Sequence, residues 1–169
     1  MNLNLGGGYD KINGFKNVDF RPEVKPDYLA NFEDENSLYE IKDNSVDKVL
    51  ASHVFEHITN LEGLMKEIYR VCKNGAEIII RTPYWSHHTA VEDPTHVRYF
   101  TEESMMYFDK DTTGSDNRRI SIPYNFKQIN VGISATKEYK HLSIPEIFIK
   151  AHKYLNVIVQ LQFNLKVVK

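Results

Sequence analysis

Residues 43–83 read DNSVDKVLASHVFEHITNLEGLMKEIYRVCKNGAEIIIRTP. Asp47 to Val54 (DKVLASHV) is an apolar, β-branched run of strand length and reads as a buried strand. Leu61, Leu64, Met65, Ile68, Val71 and Cys72 then recur with the 3.6-residue period of one helix face. Thr59 and Glu62 have capping-box spacing, and Gly75 stands where a helix would end. Cys72 lies on the apolar stripe and reads as a core residue, not a nucleophile. Ala76 to Thr82 (AEIIIRT) is the next buried strand, stopped by Pro83.

Upstream, Leu3-Asn4-Leu5 is a short strand that runs into Gly6-Gly7-Gly8, Asn17 to Phe20 a second strand, and Asp27 to Ala30 a weak third. Downstream, Thr101-Glu102-Glu103 starts a short helix with two acids near its positive end. Residues 109–124 read as a polar loop. The period then changes to two, with Ile129, Val131, Ile133 and Ala135, and later Val159, Leu161, Phe163, Leu165 and Val167, alternating with polar residues. Between them lies an amphipathic helix over 145–155, with Pro145 in its first turn. The pattern predicts an α/β domain whose mostly parallel sheet ends in an antiparallel C-terminal strand pair.

The chain has 169 residues and a mass of 19.7 kDa, which predicts one domain over residues 1–169. With 41% hydrophobic and 26% charged residues it is neither a disordered chain nor a membrane-spanning one. Met1-Asn2-Leu3-Asn4 has no basic segment followed by an apolar run, and one cysteine makes no internal disulfide, so a cytoplasmic location is expected. The net charge of −2 divides unevenly: residues 117–169 carry nine Lys/Arg against two Glu, which leaves the rest of the chain at −9. That basic section is either a solvated lysine face or a surface for an anionic acceptor.

The glycines at the mouth of the first strand allow a ligand to approach the backbone. Asp19, at the carboxyl end of the second strand, stands where an acid grips ribose hydroxyls in open α/β sheets. With LNLGGG, NVDF, DNSVDKVLASHVFEHI and LMKEIYRVCKNGAEIIIRTPY in this order, the chain resembles the class I S-adenosylmethionine-dependent methyltransferases, specifically the small type 11-like family. The resemblance covers roughly residues 3–108. It implies a Rossmann-like mixed sheet of seven strands or slightly fewer, S-adenosyl-L-methionine as cofactor, and an enzyme that transfers its methyl group. It also implies that Gly6 and Gly8 border the methionine part, Asp19 binds the ribose, Phe20 lies on the adenine, Asn31 and Phe32 contact the adenine, and Ser52 and His53 line the pocket near the sulfonium. Asn4 stands where the family usually has an acid, and Asp10 replaces the third glycine. Only ten residues separate Gly8 from Asp19, too few for a long crossover helix, and the helices that usually precede the first strand are absent.

Five of seven histidines fall in HVFEH and HHTAVEDPTH, after strands that should end at the same sheet edge. Three readings stay open. His53, His88 or His96 acts as a general base, with Asp93 orienting His96. His53, Glu56 and His57, with His88 or His96, bind a divalent metal, as a similar E-x-x-E-H run does in ubiquinone-type and small-RNA methyltransferases. Or His57 is structural. Trp85, Tyr84, Tyr99, Phe100 and Tyr107 either hold a planar or sugar acceptor or form the loop's own core, and Arg98 either contacts an anion or pairs at the surface. The expected function is methyl transfer to O or N of a small molecule. A sugar is the first choice, because relatives with a DPTHxRxFT-like loop accompany surface-sugar synthesis; RNA is second. A non-catalytic partner subunit is the alternative. A homo-oligomer is expected from the uncovered sheet face and the apolar strand 157–167, with no membrane association.

Overall fold

In the computed structural model, which describes residues 1–111 and 122–169, the strand-like stretches form one seven-stranded sheet. The strands are β1 (Asn2–Leu5), β2 (Phe15–Asp19), β3 (Tyr28–Leu29), β4 (Val46–Ser52), β5 (Cys72–Pro83), β6 (Phe126–Ala135) and β7 (Ile158–Val167). Their spatial order is β3-β2-β1-β4-β5-β7-β6. β1 to β5 pair in parallel, and β7 lies antiparallel between β5 and β6. This is the Rossmann-like mixed sheet with an antiparallel C-terminal pair that the sequence implies. Among the described residues the only α-helices are α1 (Leu61–Val71) and α2 (Ile144–Ala151). Most of residues 109–124, read as a loop, lies outside the described residues.

The helical stripe Leu61, Leu64, Met65, Ile68 and Val71 is buried in one core with Leu3, Leu5, Val49, Ala51, Ile78, Ile80 and Phe163. Helix α1 starts one residue later than Thr59 predicts: Asn60 is its N-cap and accepts from the Gly63 N–H at 3.2 Å. Thr59 is engaged elsewhere, its N–H and hydroxyl donating to the Glu33 carboxylate at 2.7 and 2.5 Å. The helix ends at Val71, and Cys72 is already extended, so β5 begins four residues earlier than the apolar run suggests. Gly75, with φ +82°, carries the irregular start of this strand, whose pairing shifts between Val46 and Lys48. Cys72 is fully buried, and burial pushes its thiol up to about 12. The helix expected after Thr101 is a 3-10 turn, Ser104–Phe108, because Thr101 bonds locally to Ser104.

Burial alternates along β5: Ile78, Ile80 and Thr82 are buried, while Ile79 and Arg81 are half-exposed. The half-exposed face carries a chain of polar side chains. Arg81 donates to Gln162 (2.8 Å), Gln162 to Asn164 (3.2 Å) and Asn164 to Asn130 (2.6 Å). This face therefore combines a hydrogen-bonded polar chain with the half-exposed apolar side chains of Leu50 and Ile79, neighbours on β4 and β5.

The first strand and the second are joined by a tight turn in place of a helix. Asn4 and Asn17 are buried beneath it, donating to the carbonyls of Asp10 (3.1 Å) and Gly8 (3.0 Å). A Cβ on Gly7 would run into both side-chain amides. Gly7→Ala is expected to cost about 1–3 kcal/mol, measured by urea denaturation; an unchanged midpoint would show that the two asparagines yield freely.

Candidate active site

The strand order reverses between β1 and β4, and in open α/β sheets ligands lie in the crevice at the carboxyl ends of the strands there. A cavity of about 500 Å³ opens at this place. Gly6, Asp19, Phe20, Asn31, Phe32, His53 and Val54 line it. Gly6 has φ +63° and donates to the Val18 carbonyl at 2.7 Å, and a Cβ there would meet Val54 at 2.5 Å. Only glycine holds the chain this close to the cavity wall.

Asp19 is 1% exposed. Its carboxylate accepts from the backbone N–H of Gly8 (2.9 Å) and of Arg21 (3.0 Å), and from Arg21 Nε (3.1 Å) and Nη2 (3.2 Å). Burial pushes the carboxyl up, but the bonds from Arg21 and Gly8 outweigh it and hold the group below the usual carboxylate range. Asp19 is thus an anion at neutral pH, partly covered by a guanidinium that itself borders the cavity.

A second cavity of about 400 Å³ adjoins the first, and His53 and His57 border both. His53 ends β4 with φ +56°, a left-handed conformation that a non-glycine residue holds only under constraint. Its N–H donates to the Arg81 carbonyl (2.9 Å), Nδ1 meets Glu56 Oε1 (3.1 Å) and Nε2 meets Gln160 Oε1 (2.8 Å). The Glu56 bond raises the His53 pKa against the opposing effect of burial. Glu56 is 1% exposed, and its carbonyl receives the N–H groups of Val97 and Arg98, which ties the loop after β5 to the end of β4. His96 Nδ1 meets the Ala90 carbonyl (3.0 Å), and His57 Nδ1 meets Thr95 Oγ1 (2.9 Å).

The structure thus brings Gly6, Asp19, Phe20, Asn31, Phe32 and His53 to one cavity, and His53 and His96 to the other. Gly8 stands behind Asp19, and Ser52 is half-buried within β4; neither lines the cavity. His88 pairs with Glu92 (2.9 Å) on the surface, outside both cavities. Asp93 is 4.0 Å from His96 Nε2, beyond hydrogen-bond reach, and bonds Thr95 instead. Arg98 donates to the carbonyls of Ile58 and Thr59 and serves the fold. Tyr84 and Phe100 are core residues that close the loop at its base, whereas Trp85 and Tyr99 are exposed. Sequence reasoning missed Arg21, Thr95 and Gln160. Arg21 had a local signal, a cation two residues after the key acid; Gln160 had none, since it lies 107 residues from His53.

The sequence matches the family model described as Methyltransferase domain over residues 18–80. No curated protein gives a significant match. Among solved structures the chain is similar to an S-adenosylmethionine-dependent methyltransferase from Archaeoglobus fulgidus, with 17% identity and a TM-score of 0.66 over 98% of this chain and 85% of that one. One from Mesorhizobium loti gives 10% identity and 0.60 over 98% and 89%. Phosphoethanolamine N-methyltransferase 2 of Haemonchus contortus, solved with S-adenosyl-L-methionine, gives 15% identity and 0.57 over 99% of this chain and 48% of that one. The chain therefore has the fold of class I S-adenosylmethionine-dependent methyltransferases, and S-adenosyl-L-methionine is the cofactor that these relatives imply. The residues present fit it: a cavity of sufficient size, a glycine that a Cβ would displace, aromatic rings at Phe20 and Phe32, and an ionised Asp19. The fit requires Arg21 to release part of the Asp19 carboxylate.

Because the folded Asp19 titrates below its unfolded value, its contribution to stability is complete above the unfolded pKa and disappears as pH falls through the folded one. Asp19→Asn is expected to lower stability by about 1–3 kcal/mol at neutral pH. The gap from wild type should narrow below pH ~4. A gap that is independent of pH in denaturation series would mean that the charge is not what stabilises the turn.

Proposed function

We propose that this chain, built on the class I methyltransferase fold, moves a methyl group from S-adenosyl-L-methionine to an oxygen or nitrogen of a small hydroxyl-rich acceptor, a sugar being the first candidate. One observation carries the reading: His53 stands between the two cavities, with a buried carboxylate behind it. The larger cavity would hold the cofactor through Gly6, Asp19, Phe20, Asn31 and Phe32. When bound, the cofactor supplies an electrophilic methyl on a sulfonium, which departs as a neutral thioether. The smaller cavity is lined by Glu92, Asp93, His96 and Gln160 among others, a polar set suited to hydroxyl groups.

His53 is placed to take the proton that the acceptor's O–H or N–H releases as it attacks. Nε2 receives it, and Nδ1–H delivers the resulting positive charge to Glu56. That carboxylate keeps the imidazole basic and fixes its orientation. Gln160 Oε1 accepts from Nε2 in this structure, so the ring must first release that proton and Gln160 turn aside before Nε2 acts as the base. The left-handed backbone at His53 aims the ring off the end of β4.

The Arg21 clasp on Asp19 favours a second reading, a partner subunit that keeps the fold without turnover. Calorimetry with S-adenosyl-L-methionine separates the two. Under the enzymatic reading the cofactor binds, Asp19→Ala weakens it at least tenfold, and Arg21→Ala tightens it by uncovering the carboxylate. Absence of binding in both wild type and Arg21→Ala would sink that reading. With an acceptor found by mass spectrometry, His53→Ala is expected to lower turnover by ~10²–10⁴ with little change in cofactor affinity; near-normal turnover would leave positioning alone as the source of catalysis.

A further inference from the structure

We propose that Glu56, His57 and His96 form a site for one divalent first-row transition-metal ion at the floor of the acceptor cavity. One ligand atom from each of these side chains lies within 4.8 Å of the others. The two imidazoles stand edge to face with centroids 4.6 Å apart.

The hydrogen-bond chains around the site set the tautomers. The Ala90 carbonyl can only accept, so His96 Nδ1 carries the proton and Nε2 presents a lone pair. Asp93 Oδ1 accepts from the Thr95 N–H at 2.8 Å and from the Thr95 hydroxyl at 2.6 Å, so that hydroxyl's proton is spent on Asp93. That hydroxyl then accepts from His57 Nδ1, which leaves a lone pair on His57 Nε2 as well. Among the described residues no hydrogen bond reaches Nε2 of either ring. Glu56 spends Oε1 on His53, while its Oε2 is buried without a partner. An orphaned buried carboxylate oxygen is costly, and native structures rarely keep one without a water or an ion.

Each of the three side chains thus keeps an atom free for a ligand, and one ligand atom of each lies within 4.8 Å of the others. Two imidazoles and a carboxylate suit zinc, manganese, iron or cobalt better than magnesium or calcium. Each histidine has its other nitrogen fixed by an acceptor, the arrangement found around metal-bound imidazoles. Bonds of ~2.0–2.2 Å to one ion place ligand atoms ~3.3 Å apart, so the rings must move inward by about 1 Å. Three protein ligands leave at least one position open, as in catalytic rather than structural sites. His53 is not a ligand because both its nitrogens are engaged, and His88 is outside the cavity. Glu56, His57 and His96 all line the smaller cavity, so an open position there would be available to an acceptor oxygen and would make its proton easier for His53 to remove. That use rests on the proposed methyl transfer, whereas metal binding does not.

The test uses zinc ion itself, titrated into chelator-treated full-length protein against a chromophoric competitor. One zinc per chain is expected. His96→Gln and His57→Gln should each weaken it at least a hundredfold while circular dichroism stays that of wild type. Thr95→Val, which touches no metal, should weaken it about tenfold. Cobalt should give the visible absorption of a four- or five-coordinate centre, lost in His96→Gln. No zinc binding by wild type, or equal binding by wild type, His96→Gln and His57→Gln, overturns the proposal. Zinc binding without S-adenosyl-L-methionine binding would keep the metal site and sink the methyl-transfer reading; the reverse result would do the opposite.

Discussion

A single buried carboxylate, Glu56, organises the site. Its carbonyl receives two N–H groups from the loop after β5, and one carboxylate oxygen holds the imidazole of His53. Through its backbone carbonyl the residue therefore joins the end of the central strand to a loop that begins one strand further along the sheet, while its side chain holds His53. A carboxylate this buried depends on its partners; among the described residues His53 bonds one of its oxygens, and the other has no hydrogen-bond partner.

The fold around it is economical. Class I sheets are usually covered on both faces, and a parallel sheet normally requires this. Here only two α-helices are present among the described residues, and the half-exposed face carries arginine, glutamine and asparagine side chains bonded to one another. The missing crossover helix between β1 and β2 has a local replacement: two buried asparagines hold the glycine turn from below. Asp19 is held from the side by Arg21, whose guanidinium covers part of its carboxylate.

Much of this was legible in the chain. The 3.6 period of residues 61–72 and the apolar runs on either side specify strand, helix, strand. The period-two stretches after residue 126 specify the antiparallel edge. The glycines, Asp19, and the HVFEH run marked one cavity because short-range spacing sets which residues leave a strand's end. Boundaries were less legible. Thr59 looked like a helix cap, but Glu33, distant in sequence, takes its donors and passes the cap to Asn60.

The sequence by itself determined the succession of strands and helices, a mostly parallel sheet with an antiparallel C-terminal pair, and the residue types that reach its carboxyl edge. Those follow from local period and from the handedness of βαβ connections. It could not decide among the histidines, since all five are equally titratable on paper. Only the tertiary structure separates them: His88 meets Glu92 in solvent, His53 is clamped between Glu56 and Gln160, and His57 and His96 lie beside Glu56 with Nδ1 bonded to Thr95 and the Ala90 carbonyl. The physical reason is that a ring's role depends on what holds its other nitrogen. Those partners come from loops and strands far away in the chain.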